Sequence, residues 1–192
     1  MTQPTPDGQA AETGAATSGP RWPSLTPDKF KDLFRAHPGG IAVVTALGPK
    51  GPVALTASSV SSVSVAPPLL IFSLSSQSSA SAAIAAAQTI VVHLLDADDL
   101  DIARLGAKGG ADRFADLAAW TQLPTGEPVY LGVRAWLRCV IVSRMAAGDS
   151  IVIAAQALQA HIERHASPGD AGNGLVYHNR TWHRLSEDSR LD

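Results

Sequence analysis

Apolar residues occur in short runs that turn residues separate, and this pattern predicts a series of β-strands. The runs are rich in branched side chains and are bounded by glycine, proline, serine or asparagine, as is typical of strands. The predicted strands are 41–47, 53–57, 69–74, 90–95, 133–143 and 151–161, followed by a last hairpin of 175–178 and 181–185.

Helices are predicted where apolar residues recur at helical spacing or where alanine dominates. Thr26, Pro27 and Asp28 read as an N-cap with proline at the first helical position, and this short helix ends in the turn at 37–40. Three further segments are predicted as short helices: the alanine-rich 78–87, then 98–105 and 112–119.

The connections between the strands indicate the fold class. Most strands are joined by short turns, whereas parallel βαβ units need a helix after nearly every strand. Antiparallel pairing is therefore favoured, and closing a sheet on itself removes its exposed edges. The sequence predicts a mainly β protein, with about seven strands in a small closed or partly closed antiparallel barrel and two or three short helices.

Composition divides the chain of 192 residues into one domain and two short ends. Residues 1–24 are rich in Ala, Gly, Thr, Pro and Gln and have no apolar periodicity, so they are predicted to be a disordered arm. The predicted domain is 25–187, and 188–192 is the predicted C-terminal tail.

Charge and hydropathy argue against two classes of partner. The formal net charge is -2 and no long run of Lys or Arg occurs, so nucleic-acid binding is not expected. No stretch approaches the roughly 20 apolar residues that span a bilayer, so membrane insertion is not expected. The first residues lack the basic and apolar regions of a secretory signal, which favours a cytoplasmic protein.

Cysteine and histidine do not indicate a metal site. Cys139 is the only cysteine, which excludes an intrachain disulfide and a multi-cysteine zinc site, and its apolar neighbours predict that it is buried. His161 and His165 are four residues apart, but no carboxylate completes a metal-binding pattern. The sequence contains no recognisable nucleophile motif, so no catalytic side chain is assigned. If the protein is an enzyme, its reactive group is expected to come from a cofactor.

Two clusters of hydroxyl side chains are the candidate binding site. The first, residues 56–64, follows one predicted strand; the second, residues 73–81, follows the next and leads into the alanine-rich helix. Hydroxyls and free main-chain amides at such positions can bind phosphate or sugar groups, so both clusters could face one phosphate-bearing cofactor. A polar strand face or turn, and N-capping by Ser78 or Ser79, would explain the same residues without a ligand.

These residues resemble those of a known family, the flavin reductase-like FMN-binding split barrels. The strongest match runs from Leu55 through Thr-Ala-Ser-Ser to Leu69. Weaker matches follow the family order at 34–45, 112–114, 148–149, and 175–178 with Trp182. The resemblance covers residues 30–185. It implies a split β-barrel that reduces FMN or FAD with NADH or NADPH and supplies a partner monooxygenase.

The resemblance also implies which residues bind the two nucleotides. It places the flavin ring and ribityl chain at the first hydroxyl cluster, the flavin phosphate at the second, and the nicotinamide beside the last hairpin. The implied flavin-binding residues are Thr56, Ala57, Ser58, Ser59, Ser62, Ser76, Ser78 and Ser79. Those implied on the nicotinamide side are Ser150, Tyr177, His178 and Trp182. A homodimer is implied as well.

Several positions depart from the family pattern and leave other functions open. Ser150 stands where a histidine is frequent, which argues against efficient use of a nicotinamide donor. Ser81 stands where a tryptophan is common, and no Arg or Lys lies among the expected phosphate ligands, so phosphate binding would rest on neutral donors. The alternatives are a flavin-binding protein without nicotinamide chemistry, an oxidoreductase with tightly bound flavin, and a structural domain without a ligand.

Overall fold

The computed structural model describes residues 23–165 and 173–191, so nearly all of the predicted N-terminal arm lies outside the described residues. Helix α1, Pro27–Arg35, begins where the sequence predicts, and the Thr26 hydroxyl accepts a hydrogen bond from the Lys29 N–H at 3.4 Å. None of its side chains is buried. The helix therefore lies on the surface of the described structure.

The described residues form twelve strands, and seven of these make one antiparallel sheet. The strands are β1 Gly39–Gly40, β2 Ala42–Gly48, β3 Gly51–Ala57, β4 Ser61–Val65, β5 Pro68–Ser75, β6 Thr89–Leu94, β7 Trp120–Gln122, β8 Pro128–Tyr130, β9 Ala135–Ala147, β10 Ser150–Ile162, β11 Leu175–His178 and β12 Thr181–Arg184. The sheet has the order β3-β2-β6-β9-β10-β5-β4, so β3 and β4 are its edges. The predicted mainly β, antiparallel fold class is confirmed.

Side chains from the two faces of the sheet form two buried clusters. In β2, Val44 belongs to one cluster and Val43 to the other, as the alternation of strand side chains requires. The central strands are covered on both faces, which explains why they read as continuous apolar runs. Leu55 of β3 and Phe72 of β5 share one cluster although their strands lie at or near opposite edges. The sheet is therefore strongly curved around that cluster.

The predicted helix at 112–119 is wrong. These residues form turns, because the side chain of Asp112 accepts a hydrogen bond from the Phe114 N–H and that of Asp116 accepts one from the Ala118 N–H, both at 3.0 Å. Aspartate side chains that bond two residues ahead compete with helical hydrogen bonding.

The alanine-rich helix is shorter than predicted. Helix α2 spans Ser81–Ala86, its N-cap position is Ala80, and no side chain caps it. N-capping by Ser78 or Ser79, which the sequence left open as an alternative to ligand binding, therefore does not occur, and both serines lie in the turn before the helix. The third helix, α3, spans Leu100–Ala107 and agrees with the predicted segment 98–105.

Strand β4 arises from a segment that the sequence describes only as serine-rich. It pairs with β5 through the main chain, and most of its side chains are exposed, so only the short alternation Val63-Ser64-Val65 marks it in the sequence. The short pair β7 and β8 was also not predicted. Within the described ranges, none of the helices is long and apolar enough to cross a bilayer.

The last hairpin, β11 and β12, agrees with the prediction, and β1 pairs with its first strand. Asn179 and Arg180 form its two-residue turn with φ angles of 47° and 62°. Both angles are left-handed, as in the type I′ turns that suit tight hairpins. The Asn179 N–H donates a hydrogen bond to the Arg35 carbonyl at 2.9 Å, which fixes the turn against the end of α1.

Candidate functional site

One cleft lies where β3 and β5 end, beside the C-terminal end of α3. It has a volume of about 690 Å³, and we call it the hydroxyl cleft. Its lining residues are Leu55, Thr56, Ala57, Ser58, Ser59, Ser73, Ser75, Gln77, Ser78, Ser79, Ser81, Gly106, Ala107, Gly109, Gly110, Arg113 and Ser150. The two hydroxyl clusters of the sequence therefore meet at one place.

Most residues predicted to bind a flavin line this cleft, and two do not. Those that line it are Thr56, Ala57, Ser58, Ser59, Ser78 and Ser79. Ser62 pairs with Leu70 on the edge strand β4. Ser76 donates its N–H to the Asp149 carbonyl at 3.0 Å, in the neighbouring turn. Neither belongs to the lining.

Two of the predicted hydroxyls hold the walls of the cleft together. Thr56 Oγ1 donates a hydrogen bond to the Ala103 carbonyl of α3 at 2.6 Å. Ser59 Oγ accepts one from the Ser73 N–H at 2.9 Å, which joins the loop after β3 to strand β5. These bonds give Thr56 and Ser59 structural roles, whereas Ser58 is exposed at the cleft surface.

The hydroxyl of Ser81 is buried in this cleft wall without a partner. Ser81 is 5% exposed, and its Oγ makes no hydrogen bond within the described structure. Burying an unpaired hydroxyl costs about 1–3 kcal/mol. A ligand oxygen in the cleft would satisfy it. The sequence placed Ser81 at the end of the second hydroxyl cluster and marked it as a departure from the family pattern, but its lack of a partner is visible only in the fold.

A cation, Arg113, also lines the hydroxyl cleft, where the sequence led us to expect only neutral donors. Its Nε donates to the Gly106 carbonyl at 3.2 Å and its Nη2 to the Lys108 carbonyl at 2.9 Å, which fixes the guanidinium at the end of α3. No Asp or Glu occurs among the described residues of the lining. The cleft therefore favours an anion such as phosphate. The weak Asp-Arg-Phe match at 112–114 was the available signal.

Two glycines allow the main chain to approach the cleft loop closely. A β-carbon at Gly106 would overlap with the Thr56 hydroxyl, so only glycine permits α3 to lie against β3 with that hydroxyl bonded to the helix. A β-carbon at Gly39 would lie 2.9 Å from the Ser58 carbonyl, which is also too close. Both contacts position the loop of Ser58 and Ser59.

A second cleft, of about 770 Å³, lies between α1, the loop after β3 and the last hairpin. It is lined by Phe30, Lys31, Phe34, Arg35, His37, Pro38, Gly39, Gly40, Ser58, Ser59, Val60, Ser61, Tyr177, Asn179 and Arg180. We call it the cationic cleft, because three Lys or Arg residues and no acidic residue occur in its described lining. Sequence reasoning did not find it, because α1 and the last hairpin meet only in the fold.

The residues predicted on the nicotinamide side do not share one cleft. Tyr177 lines the cationic cleft, and Ser150 lines the hydroxyl cleft. His178 and Trp182 line neither of the two. Trp182 instead packs edge-on against Tyr177, with ring centroids 4.9 Å apart.

The two clefts meet at one loop. Ser58 and Ser59 line both of them, on either side of the segment that joins β3 to β4. Ligands in the two clefts would therefore lie next to each other across this loop.

Three side chains with strongly shifted pKa values lie in the core. Burial lowers the pKa of His93 to about 4, and burial raises those of Tyr130 and Cys139 to about 12. None of the three lines either cleft. The prediction that Cys139 is buried is confirmed, and its thiol is protonated at neutral pH.

A curved antiparallel sheet with two joined clefts, one rich in hydroxyls and one in cations, defines a small β protein suited to binding two phosphate-bearing ligands side by side. The chain belongs to the flavin reductase-like family, since residues 34–186 match the flavin reductase like domain. The resemblance predicted from the sequence is confirmed.

Relatives and solved structures agree with this family. An NADH:FMN oxidoreductase of Rhodococcus qingshengii is 36% identical over 155 residues, which are 81% of this chain and 80% of that protein. A flavin reductase domain protein from Arthrobacter sp. FB24 has a TM-score of 0.76 and 28% identity, covering 87% of this chain and 98% of that one. BorF, the flavin reductase component of a bacterial two-component tryptophan halogenase, has a TM-score of 0.71 and 28% identity, covering 84% and 99%.

Proposed function

We propose that this protein is an NAD(P)H-dependent flavin reductase, which transfers a hydride from NADH or NADPH to FMN or FAD. The observation that carries the proposal is the pair of clefts that share the loop of Ser58 and Ser59. Such clefts would hold two planar rings next to each other, as hydride transfer requires. Similarity to an NADH:FMN oxidoreductase supports the same reaction.

The hydroxyl cleft fits a flavin in size and in chemistry. Its volume of about 690 Å³ lies within the ~300–1,000 Å³ of small-molecule sites. Ser78, Ser79 and Ser81 would bind the flavin phosphate, and Arg113 would neutralise its charge. The unpaired Ser81 Oγ is the group that such a ligand would satisfy. The ring and ribityl chain would lie along Thr56, Ala57, Ser58 and Ser59.

The chain contributes orientation rather than acid–base chemistry. A bound flavin supplies the hydride acceptor. The loop of Ser58 and Ser59 is fixed by its bond to β5, and Tyr177 is held by Trp182, so the groups bordering both ligands are preorganised. Holding two reactants in register can remove roughly 7–11 kcal/mol of the barrier. No side chain of the clefts needs to give or take a proton.

Steady-state oxidation of NADH and NADPH with added FMN or FAD tests the proposal. We expect donor oxidation that depends on flavin, and a higher KM for FMN in the double variant Ser78→Ala/Ser79→Ala. Ser62→Ala is the matched control, because its side chain does not line the cleft. No flavin-dependent oxidation with either donor would refute the proposal.

A flavin-binding protein without nicotinamide chemistry is the second candidate. It is favoured by the position of Ser150, which lies in the hydroxyl cleft and not beside Tyr177. An absorbance titration with FMN and FAD, followed by addition of NADH, separates the two candidates. Flavin binding without bleaching of the flavin absorbance would select the second. A purified protein that stays yellow through dialysis would indicate tightly bound flavin.

We also propose that the reduced flavin serves a partner monooxygenase in the cytoplasm. The likeness to the reductase component of a two-component halogenase supports transfer to a separate enzyme. Addition of a purified flavin-dependent monooxygenase, physically separated by a dialysis membrane, tests transfer by diffusion. Product formation across the membrane is the expected result.

A homodimer is the proposed assembly. Val63 and Val65 of the edge strand β4 are 58% and 92% exposed. Exposed apolar side chains on an edge strand favour association, so this strand suits a subunit interface. Light scattering after size-exclusion chromatography should give twice the chain mass, and Val65→Glu should lower it. A wild-type protein that elutes as a monomer at micromolar concentration would contradict this.

A further inference from the structure

We propose that Arg180 binds a phosphate group of a dinucleotide in the cationic cleft, and that the last hairpin keeps an arginine in a left-handed turn for this purpose. The inference rests on the proposed function for the identity of the dinucleotide. Three observations carry it: the conformation of Arg180, its lack of other contacts, and the composition of the cleft.

The conformation of Arg180 is unfavourable for an arginine. It occupies the second position of a two-residue turn, with a φ of 62°. Glycine is preferred there because a β-carbon crowds the main chain in the left-handed region, and asparagine and aspartate are tolerated. Asn179, with a φ of 47°, follows this preference, and Arg180 does not. Residues held in such conformations are concentrated at functional sites.

The fold does not explain the presence of arginine at this position. The residue is exposed, and its side chain forms no ion pair or hydrogen bond within the ranges that the structure describes. The turn itself is fixed by the Asn179 main chain bonded to Arg35, which does not depend on the Arg180 side chain. Local stability would therefore favour glycine.

Arg180 is also the least neutralised cation of the cleft. The other two cations form ion pairs within α1. Lys31 Nζ lies 4.0 Å from Asp28 Oδ1, and Arg35 Nη2 lies 2.8 Å from Asp32 Oδ1. Neither aspartate lines the cleft. Arg180 has no such partner among the described residues, so its charge is available to a ligand.

Aromatic side chains complete a site for a nucleotide. Tyr177, Phe30 and Phe34 line the same cleft, and the two phenylalanine rings are 4.7 Å apart. A planar base can pack on such rings while its phosphates meet the cations. The shared loop of Ser58 and Ser59 places this cleft beside the proposed flavin site.

Two dinucleotides could supply the phosphate: the nicotinamide donor, or FAD through its adenylate half. FMN lacks a diphosphate, so an assay with FMN as acceptor isolates the donor. Comparing the KM values for FAD and FMN isolates the flavin.

Arg180→Gly is the test variant, because glycine suits the turn and removes only the charged side chain. If the donor is the ligand, the KM for NADH or NADPH with FMN should rise about 5- to 20-fold, with kcat changed less than about twofold. If FAD is the ligand, its KM should rise by a similar factor while that for FMN does not. The Tm should be equal to or above that of the wild type.

Two control variants separate the charge of Arg180 from a general loss of surface charge. Arg180→Lys keeps the charge and should retain most of the affinity. Lys50→Ala removes an exposed cation that lines neither cleft, and it should leave every KM within twofold of the wild-type value. Unchanged KM values for NADH, NADPH and FAD in Arg180→Gly overturn the inference, and so does an equal effect of Lys50→Ala.

A binding experiment keeps this test independent of turnover. Calorimetric titration with ADP at low salt should give a Kd about 5- to 20-fold lower for the wild type than for Arg180→Gly. Equal affinities, or no binding by the wild type, overturn the inference. If the wild type oxidises no donor with any flavin, the proposed function fails, and the ADP titration still decides the role of Arg180.

Discussion

Replacing Ser81 should affect ligand binding without lowering the stability of the protein. Its buried Oγ has no partner in the described structure, so Ser81→Ala removes an unsatisfied group and should leave the Tm unchanged or slightly higher. If the hydroxyl donates to the flavin phosphate, the same change should weaken FMN binding about 3- to 10-fold, the worth of one hydrogen bond of about 1 kcal/mol. Fluorescence titration measures this, and riboflavin, which lacks the phosphate, should bind both proteins equally.

Ser76→Ala is the matched control for this prediction. Ser76 belongs to the same hydroxyl cluster of the sequence, but it lies outside the cleft lining. Its replacement should leave FMN affinity unchanged. If Ser76→Ala weakens FMN binding and Ser81→Ala does not, the phosphate lies elsewhere than the geometry indicates.

His93 is a buried histidine whose two ring nitrogens are both used. Nδ1 lies 3.0 Å from the Val43 carbonyl, and Nε2 lies 3.1 Å from the Tyr130 N–H. The carbonyl requires a proton on Nδ1, and the N–H requires a lone pair on Nε2, so the ring is neutral. Burial lowers its pKa from 6.5 to about 4, against a smaller opposing effect of the Val43 bond.

The low pKa of His93 predicts acid sensitivity. Below pH 6.5 this histidine is protonated in the unfolded chain, whereas in the folded protein it stays neutral down to about pH 4. Its contribution to the free energy of unfolding is therefore fully present above pH 6.5 and is lost as the pH falls from 6.5 to about 4. The loss from this group should reach about 3 kcal/mol. Urea unfolding at several pH values measures it. The His93→Gln variant should be less stable than the wild type at pH 7, but its free energy of unfolding should fall less between pH 6.5 and pH 4. An equal fall in both proteins would argue against His93 as the source of the acid sensitivity.

At the scale of elements, the contact between α3 and β3 positions the cleft. Gly106→Ala would drive a β-carbon into the Thr56 hydroxyl, which is bonded to Ala103 of the same helix. We expect a loss of roughly 1–3 kcal/mol in unfolding free energy, because the helix must shift or the bond must break. Flavin affinity should fall as well. Chemical denaturation and FMN titration measure the two effects.

Gly109→Ala is the control for Gly106→Ala. Gly109 follows the same helix, and a β-carbon there would meet nothing within 4 Å. Its replacement should leave the unfolding free energy within about 0.5 kcal/mol of the wild-type value. Equal destabilisation by both changes would mean that helix-end flexibility, not the Thr56 contact, is responsible.

Strands and helices could be predicted from the sequence where buried side chains produce a recognisable pattern of apolar residues or where a capping residue marks the start of a helix. The central strands are covered on both faces, so they appear as apolar runs, and the cap at Thr26 marked α1 correctly. Strand β4 was missed because an edge strand can be held by main-chain bonds while its side chains stay in water. The false helix at 112–119 had helical spacing, but Asp112 and Asp116 direct the chain into turns.

At the scale of the whole molecule, the charges are distributed unevenly. The chain has a net charge of -2, yet the described linings of both clefts contain cations and no acidic side chain. Such clefts should attract anionic nucleotides, and added salt should screen this attraction. We expect the KM for NADH to rise at least severalfold between about 0.05 and 0.5 M ionic strength, with little change in kcat. A KM independent of salt would show that these charges do not act on the donor.

The candidate site was only half predictable from the sequence. Two hydroxyl clusters on consecutive strands could be expected to meet, because neighbouring strand exits lie close together in a small curved sheet. Arg113 enters the same cleft from a distant turn, and Arg180 reaches the other from the last hairpin. Only the weak family match at 112–114 pointed to Arg113, and no sequence pattern pointed to Arg180. Ser62 and Ser76 fit the hydroxyl pattern equally well but lie outside the cleft.

Because Ser58 and Ser59 line both clefts, we expect a ligand in one cleft to change the affinity of the other cleft for its own ligand. This coupling must be equal in both directions. Either ligand, once bound, should therefore favour the binding of the other by the same factor. Deuterium uptake at the amides of this loop should slow with either ligand alone and slow further with both, with no need for a larger motion of the sheet.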